Sequence, residues 1–229
     1  MSDFPAVMPH HDLLPIFDDT WLLQGSVKFK PFVVLQRNMV VLRHGTELTL
    51  INAIRLNDPT EAALLELGTV SNVVKIGVHG MDDAYYADKF DAKQWGLKDR
   101  PNILAADNLP HPGLSLFLFE LTKAPEAALL LDVDDGLLIT CDSVQHWEQT
   151  DLSSFVGNLV TSVMGFKNPA QIGPPWRKKM TPEGGSLKPD FDRMVALPFK
   201  HLVGGHGGLC RGNADTALAA TMERVFPPK

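Results

Sequence analysis

Three apolar runs in this sequence each stop on residues that can hold a metal or carry a proton, and no other feature restricts the fold as tightly. Residues 70–78 lead into His79-Gly80-Met81-Asp82-Asp83-Ala84. Residues 137–140 run through Cys141 into Asp142, and residues 199–203 lead into Gly204-Gly205-His206-Gly207-Gly208. Short apolar runs rich in β-branched residues read as buried strands. Imidazole and carboxylate at such strand ends offer nitrogen and oxygen donors of the kind that suit zinc, iron or manganese. Asp142 makes the strongest case, because a carboxylate closing an apolar strand needs a partner or a pocket. The glycines around His206 let the backbone turn tightly without a Cβ clash.

The rest of the chain alternates between strand and helix signals. Residues 20–25 and 38–43 read as strands, and the turn His44-Gly45-Thr46 joins the second of them to residues 47–52 as a hairpin. Residues 59–67 read as a helix, with Thr60 and Glu61 at its start and Gly68 just past its end. Another helix is expected over 82–90. Apolar runs at 102–105, 114–121, 127–133 and 137–140 follow, the last two joined by Asp134-Asp135-Gly136. Helices are expected over 153–164, 188–196 and 213–225, and a Pro-, Gly- and Lys-rich loop at 168–185 is the natural lid. This order predicts layers of sheet covered by helices. The 229 residues fit one domain, with residues 1–19 as an N-terminal arm.

A formal net charge of −6 argues against a broad electrostatic hold on nucleic acid or anionic lipid. The basic run Trp176-Arg177-Lys178-Lys179-Met180 reads as a solvated loop. Cys141 and Cys210, the two cysteines, build neither a disulfide framework nor a Cys-rich zinc site. No basic-then-apolar leader opens the sequence, and no apolar run reaches the length of a membrane span. The expectation is a cytoplasmic protein that acts on a small molecule and binds neither nucleic acid nor membrane.

Taken together and in order, the three strand-end segments resemble the metallo-β-lactamase superfamily, whose pattern is H-x-H-x-D-H, then a strand-end Asp, then a strand-end His near glycine. The resemblance runs from about Trp21 to Val225 and implies a four-layer αββα sandwich. It also implies a metal-dependent hydrolase in which two ions are held at the strand ends. Carried over position by position, His79 matches the first histidine, Asp83 the motif aspartate, Asp142 the bridging aspartate and His206 the final histidine. Met81 and Ala84 stand where the pattern has histidines. The mid-chain histidine expected near residues 120–125 is absent. His111, in Pro110-His111-Pro112-Gly113, lies too far before Asp142 to replace it.

The surviving positions imply one divalent ion, zinc first, with iron or manganese as alternatives, held by His79, Asp83, Asp142 and His206. Asp142 and His79 are the candidates for catalytic proton transfer. Two rivals stand beside this reading. One is a metal-free relative that keeps the fold for binding a ligand or partner, since fold alone does not dictate chemistry. The other is an iron–flavin redox protein, which the length leaves without a flavodoxin-like domain. Individual residues have structural readings too. Asp82 and Asp83 suit a helix N-terminus, Met81 and Cys141 suit packing, and His146 and Trp147 suit either the pocket mouth or the surface.

Overall fold

The computed structural model describes residues 4–147, 151–166 and 168–227. Seven strands form the first sheet in chain order: β1 (Leu14–Phe17), β2 (Thr20–Lys30), β3 (Val33–His44), β4 (Glu47–Ile51), β5 (Thr69–Val74), β6 (Lys93–Gly96) and β7 (Asn102–Ile103). The first four pair antiparallel through short turns. From β4 onward pairing is parallel. Two of the returns are helical crossovers, α1 (Asp58–Leu67) and α2 (Asp83–Phe90). The side chain of Asn57 caps α1 by accepting from Thr60 N–H at 2.9 Å.

The second sheet contains β8 (Leu114–Leu118), β9 (Ala127–Leu131), β10 (Leu137–Ile139), β13 (His201–Val203) and β14 (Leu209–Cys210), in the order β14-β13-β10-β9-β8. Between β10 and β13 lie a two-stranded ribbon, β11 (Val144–Gln145) with β12 (Gln171–Ile172), and the helices α3 (Phe155–Val163), α4 (Pro174–Met180) and α5 (Lys188–Val195). Helix α6 (Ala214–Val225) closes the described chain.

The period-2 alternation of strand side chains sorts the apolar residues into three cores. Leu22, Val40, Leu42 and Val74 of the first sheet meet Leu129, Leu137, Ile139 and Val203 of the second, between the sheets. Their neighbours Leu23, Met39, Val41 and Val73 face outward onto Leu64 of α1 and Tyr86 of α2. On the other side, Ala128, Leu138 and Leu202 face outward onto Trp176, Phe191 and Leu218 of α4, α5 and α6. The result is the four-layer αββα sandwich expected from the sequence.

The segment 168–185 is not the loop that its composition predicts. It contains β12 and α4, because Pro174 and Pro175 start a helix at the positions proline tolerates. Trp176 and Met180, four residues apart, share one face of that helix and are buried in the outer core. The basic run therefore lies on a packed helix and not on a solvated loop. Within the expected arm, residues 14–17 pair with β2 as β1.

Candidate metal centre

Strand register brings the site together. β10 and β13 are parallel neighbours with Ile139 opposite Val203, so Asp142 and His206, each three residues further on, emerge side by side. His79 arrives from the other sheet. Past β5 the chain crosses the gap between the sheets, where Lys75 N–H donates to Trp95 O and Ile76 O accepts from Ala127 N–H, both at 2.9 Å. The crossing delivers His79 to the same point.

His206 Nε2 lies 3.2 Å from Asp142 Oδ1, and His79 Nε2 lies 3.5 Å from it. The two imidazoles meet edge to face, with centroids 4.7 Å apart. One donor atom from each of the three residues falls within 4.8 Å of the other two, the one such His/Cys/Asp/Glu group among the described residues. Bonds of 2.0–2.2 Å at a tetrahedral angle put ligand atoms about 3.4 Å apart, so the spacing fits a shared ion.

The protonation pattern fits as well. Burial first, and then the neighbouring His206, lower the His79 pKa to about 4, so His79 is neutral near pH 7. Burial alone would raise Asp142. The hydrogen bond to His206 and the charges of His79 and His206 outweigh it and lower the pKa to about 2. His206 Nδ1 donates to Gln36 O at 2.5 Å, which leaves Nε2 as the atom facing Asp142.

A polar frame holds this geometry. Gln24 and Asn38 donate to Gly207 O at 2.9 Å each, and Gln36 does so at 3.0 Å. Asn38 also donates to Gly204 O at 2.9 Å. Glycine is required twice here. A Cβ at Gly205 would lie 2.9 Å from His79 Cε1, and Gly207 adopts φ +86° with its missing Cβ 2.0 Å from His146 O. Trp147 stacks on the His206 ring at 5.5 Å and donates to Gln145 Oε1 at 2.5 Å. Gln145 in turn donates to Asp142 Oδ1 at 3.2 Å.

Of the four expected ligands, the structure brings together His79, Asp142 and His206. Asp83 lies outside the cluster. It is the first residue of α2, and its Oδ2 accepts from Arg100 at 2.8 Å. Asp82 pairs with buried Arg37 and also accepts from Arg55 N–H at 3.1 Å. Met81 and Ala84, at the two departures from the motif, are exposed. Cys141 is buried, and its thiol is pushed well up by burial. His111 stands at the other end of β3, against Arg43 O and the His44 ring.

Sequence reasoning passed over Glu126, the residue immediately before β9. Its side chain is buried and Oε1 has no hydrogen-bond partner. Burial first, and then the charge of Asp142, raise its pKa to about 8. It lines a cleft of about 430 Å³ with Lys75, Gly77, Val78 and Lys179. The signal was a carboxylate abutting the apolar run at 127–131. Gln36 and Asn38 carried a similar one, as polar residues inside an apolar strand.

Two facing sheets with helices on both outer sides form the four-layer architecture of the metallo-β-lactamase fold. Comparison with solved structures places this chain in that fold class. VMB-1 aligns with a TM-score of 0.64 and 13% identity over 95% of this chain and 96% of its own. FIM-1 from Pseudomonas aeruginosa, in a mono-zinc form, aligns at 0.61 and 14% over 98% and 99%. The enzyme from Pontibacter korlensis aligns at 0.62 and 13% over 95% and 99%. No family model matches the sequence, and no curated protein matches it.

Proposed function

We infer that this chain is a metal-dependent hydrolase with a reduced, mononuclear site, acting on a small molecule in the cytoplasm. The observation that carries the reading is the convergence of His79, Asp142 and His206 on one point, with spacing and protonation suited to an ion. Three protein ligands plus one open position is the usual arrangement of a catalytic zinc site. A divalent ion there would polarise a scissile bond and acidify water.

The chain's own residues supply the remainder. His79 offers a neutral imidazole with no proton to displace near pH 7, and Asp142 offers a carboxylate. Gln36 O fixes the His206 tautomer, while Gln145 and Trp147 hold Asp142 and the His206 ring in place. The mono-zinc form of FIM-1 is a precedent for one ion in this fold. Arg100 engages Asp83, which supports a ligand set without it.

The test is metal content after purification without added chelator, with Asp142→Ala and His206→Ala alongside. About one zinc, iron or manganese per chain is expected, lost in both variants. A metal-free protein that stays so after reconstitution would overturn the reading and leave a fold kept for binding.

A further inference from the structure

The turn between β2 and β3 projects Phe29 and Phe32 into solvent, with Lys28, Lys30 and Pro31 exposed around them. Helix α3 rests against this hairpin. Ser154 Oγ donates to Phe32 O and accepts from Val34 N–H, both at 3.1 Å, and Gln36 N–H donates to Ser153 Oγ at 2.9 Å. A Cβ at Gly157 would fall 2.1 Å from Val34 O, so helix backbone sits directly on strand backbone. That contact occupies one face of the helix. The opposite face is apolar and open, with Phe155 84%, Leu159 54% and Val163 79% exposed. Contiguous apolar surface of this kind marks an interaction site.

A second observation concerns Phe32 itself. It sits at φ +67°, a left-handed conformation that strains a bulky residue and that Asn or Gly adopts readily. Its ring is 85% exposed and so buries almost nothing in return. Strain held at an exposed position points to a role outside the fold.

Charge identifies the occupant. Residues 26–36 and 152–166, the two segments that build the face, contain Lys28 and Lys30 and no Asp or Glu, and the adjoining carboxylate, Asp151, is engaged by His11 at 3.0 Å. A second copy docked about a two-fold axis would add lysines and no carboxylate to meet them. An anionic surface would complement them. No helix among the described residues is long and apolar enough to cross a membrane, so the contact is peripheral.

We propose that this face docks on an anionic lipid bilayer, with Phe29, Phe32 and Phe155 entering the headgroup boundary and Lys28 and Lys30 pairing with lipid phosphates. The net charge of −6 is a sum over the chain, and at this tip the local sign is reversed. The docking does not depend on the metal centre. The two are neighbours, because Phe166 beyond α3 packs at 5.2 Å on Trp147, which covers His206.

The test is co-sedimentation of the full chain with vesicles of phosphatidylcholine containing one-quarter phosphatidylglycerol, against phosphatidylcholine alone. Binding to the anionic vesicles is expected, weakened by salt and lowered about fivefold for each of Lys28→Gln and Lys30→Gln. Phe32→Asn relieves the strained tip, so it should raise the melting temperature while lowering vesicle binding. Phe155→Ser should lower binding without altering metal content. Absence of binding to anionic vesicles would overturn the proposal. A dimer in sedimentation velocity that Phe155→Ser dissociates would overturn it too, by assigning the face to a second copy.

Discussion

Ionisation of Glu126 weighs against the fold. Its pKa rises from an ordinary 4.5 to about 8 on folding, so between those values the native state holds a proton that the unfolded chain releases. The stability contribution is complete below about pH 4.5 and is lost as pH climbs towards 8, at about 1.4 kcal/mol per pH unit. For the metal-free protein, wild type should lose roughly 3 kcal/mol relative to Glu126→Gln between pH 5 and pH 8. Urea unfolding at the two pH values measures this, and parallel behaviour of the two proteins would exclude a buried neutral acid. Residue identity made His79, Asp142 and His206 legible, because each lies three to five residues past the end of a strand that reads as an apolar run. It could not distinguish the motif aspartate's two readings. The separation of Asp83 from the cluster depends on Arg100, seventeen residues away in sequence and brought next to α2 only by the fold.

At the scale of elements, α3 shows how a short helix is held by what caps it. Ser154 Oγ accepts from Gly157 N–H at 3.0 Å and from Val34 N–H at 3.1 Å, joining helix start to strand. Ser154→Ala should cost about 1–2 kcal/mol. Faster amide exchange at Gly157 and Val34, with unchanged metal content, is the expected signature, and unaltered protection would show the cap to be idle. Helices α1 and α6 could be placed from the sequence to within a residue or two, whereas only the halves of β2 and β3 at 20–25 and 38–43 were legible and the hairpin joining them was not. The short strands could not be placed. β6 and β11 are four residues or fewer, and their pairing is decided by partners more than twenty residues away in sequence. α4 was hidden by its prolines, which punctuate loops and also begin helices.

For the whole molecule, the inter-sheet core ties both halves of the chain into one structure, since Leu22 and Val40 pack with Leu129 and Val203. Leu129 is wholly buried there. Leu129→Ala should cost about 2–5 kcal/mol and lower the melting temperature by roughly 5–15 °C. Circular dichroism and tryptophan fluorescence should report the same midpoint, because Trp95 lies in the inter-sheet core and Trp176 in an outer one. Two separated transitions would mean that the layers unfold independently.

The sequence by itself implied a layered fold, because the order of its strand and helix signals and the His and Asp residues after its apolar runs are local patterns that survive without neighbours. It also determined three of the residues that meet in the crevice. Tertiary structure alone decided which carboxylates are free to meet an ion, since Asp83 and Asp82 are claimed by Arg100 and Arg37. It decided too that Glu126 is buried, and that an uncharged helix lies beside a strained phenylalanine on one open face. Ion pairing, burial and the joining of surface segments are relations between residues far apart in the chain, and they come into being only when the sheets close on each other.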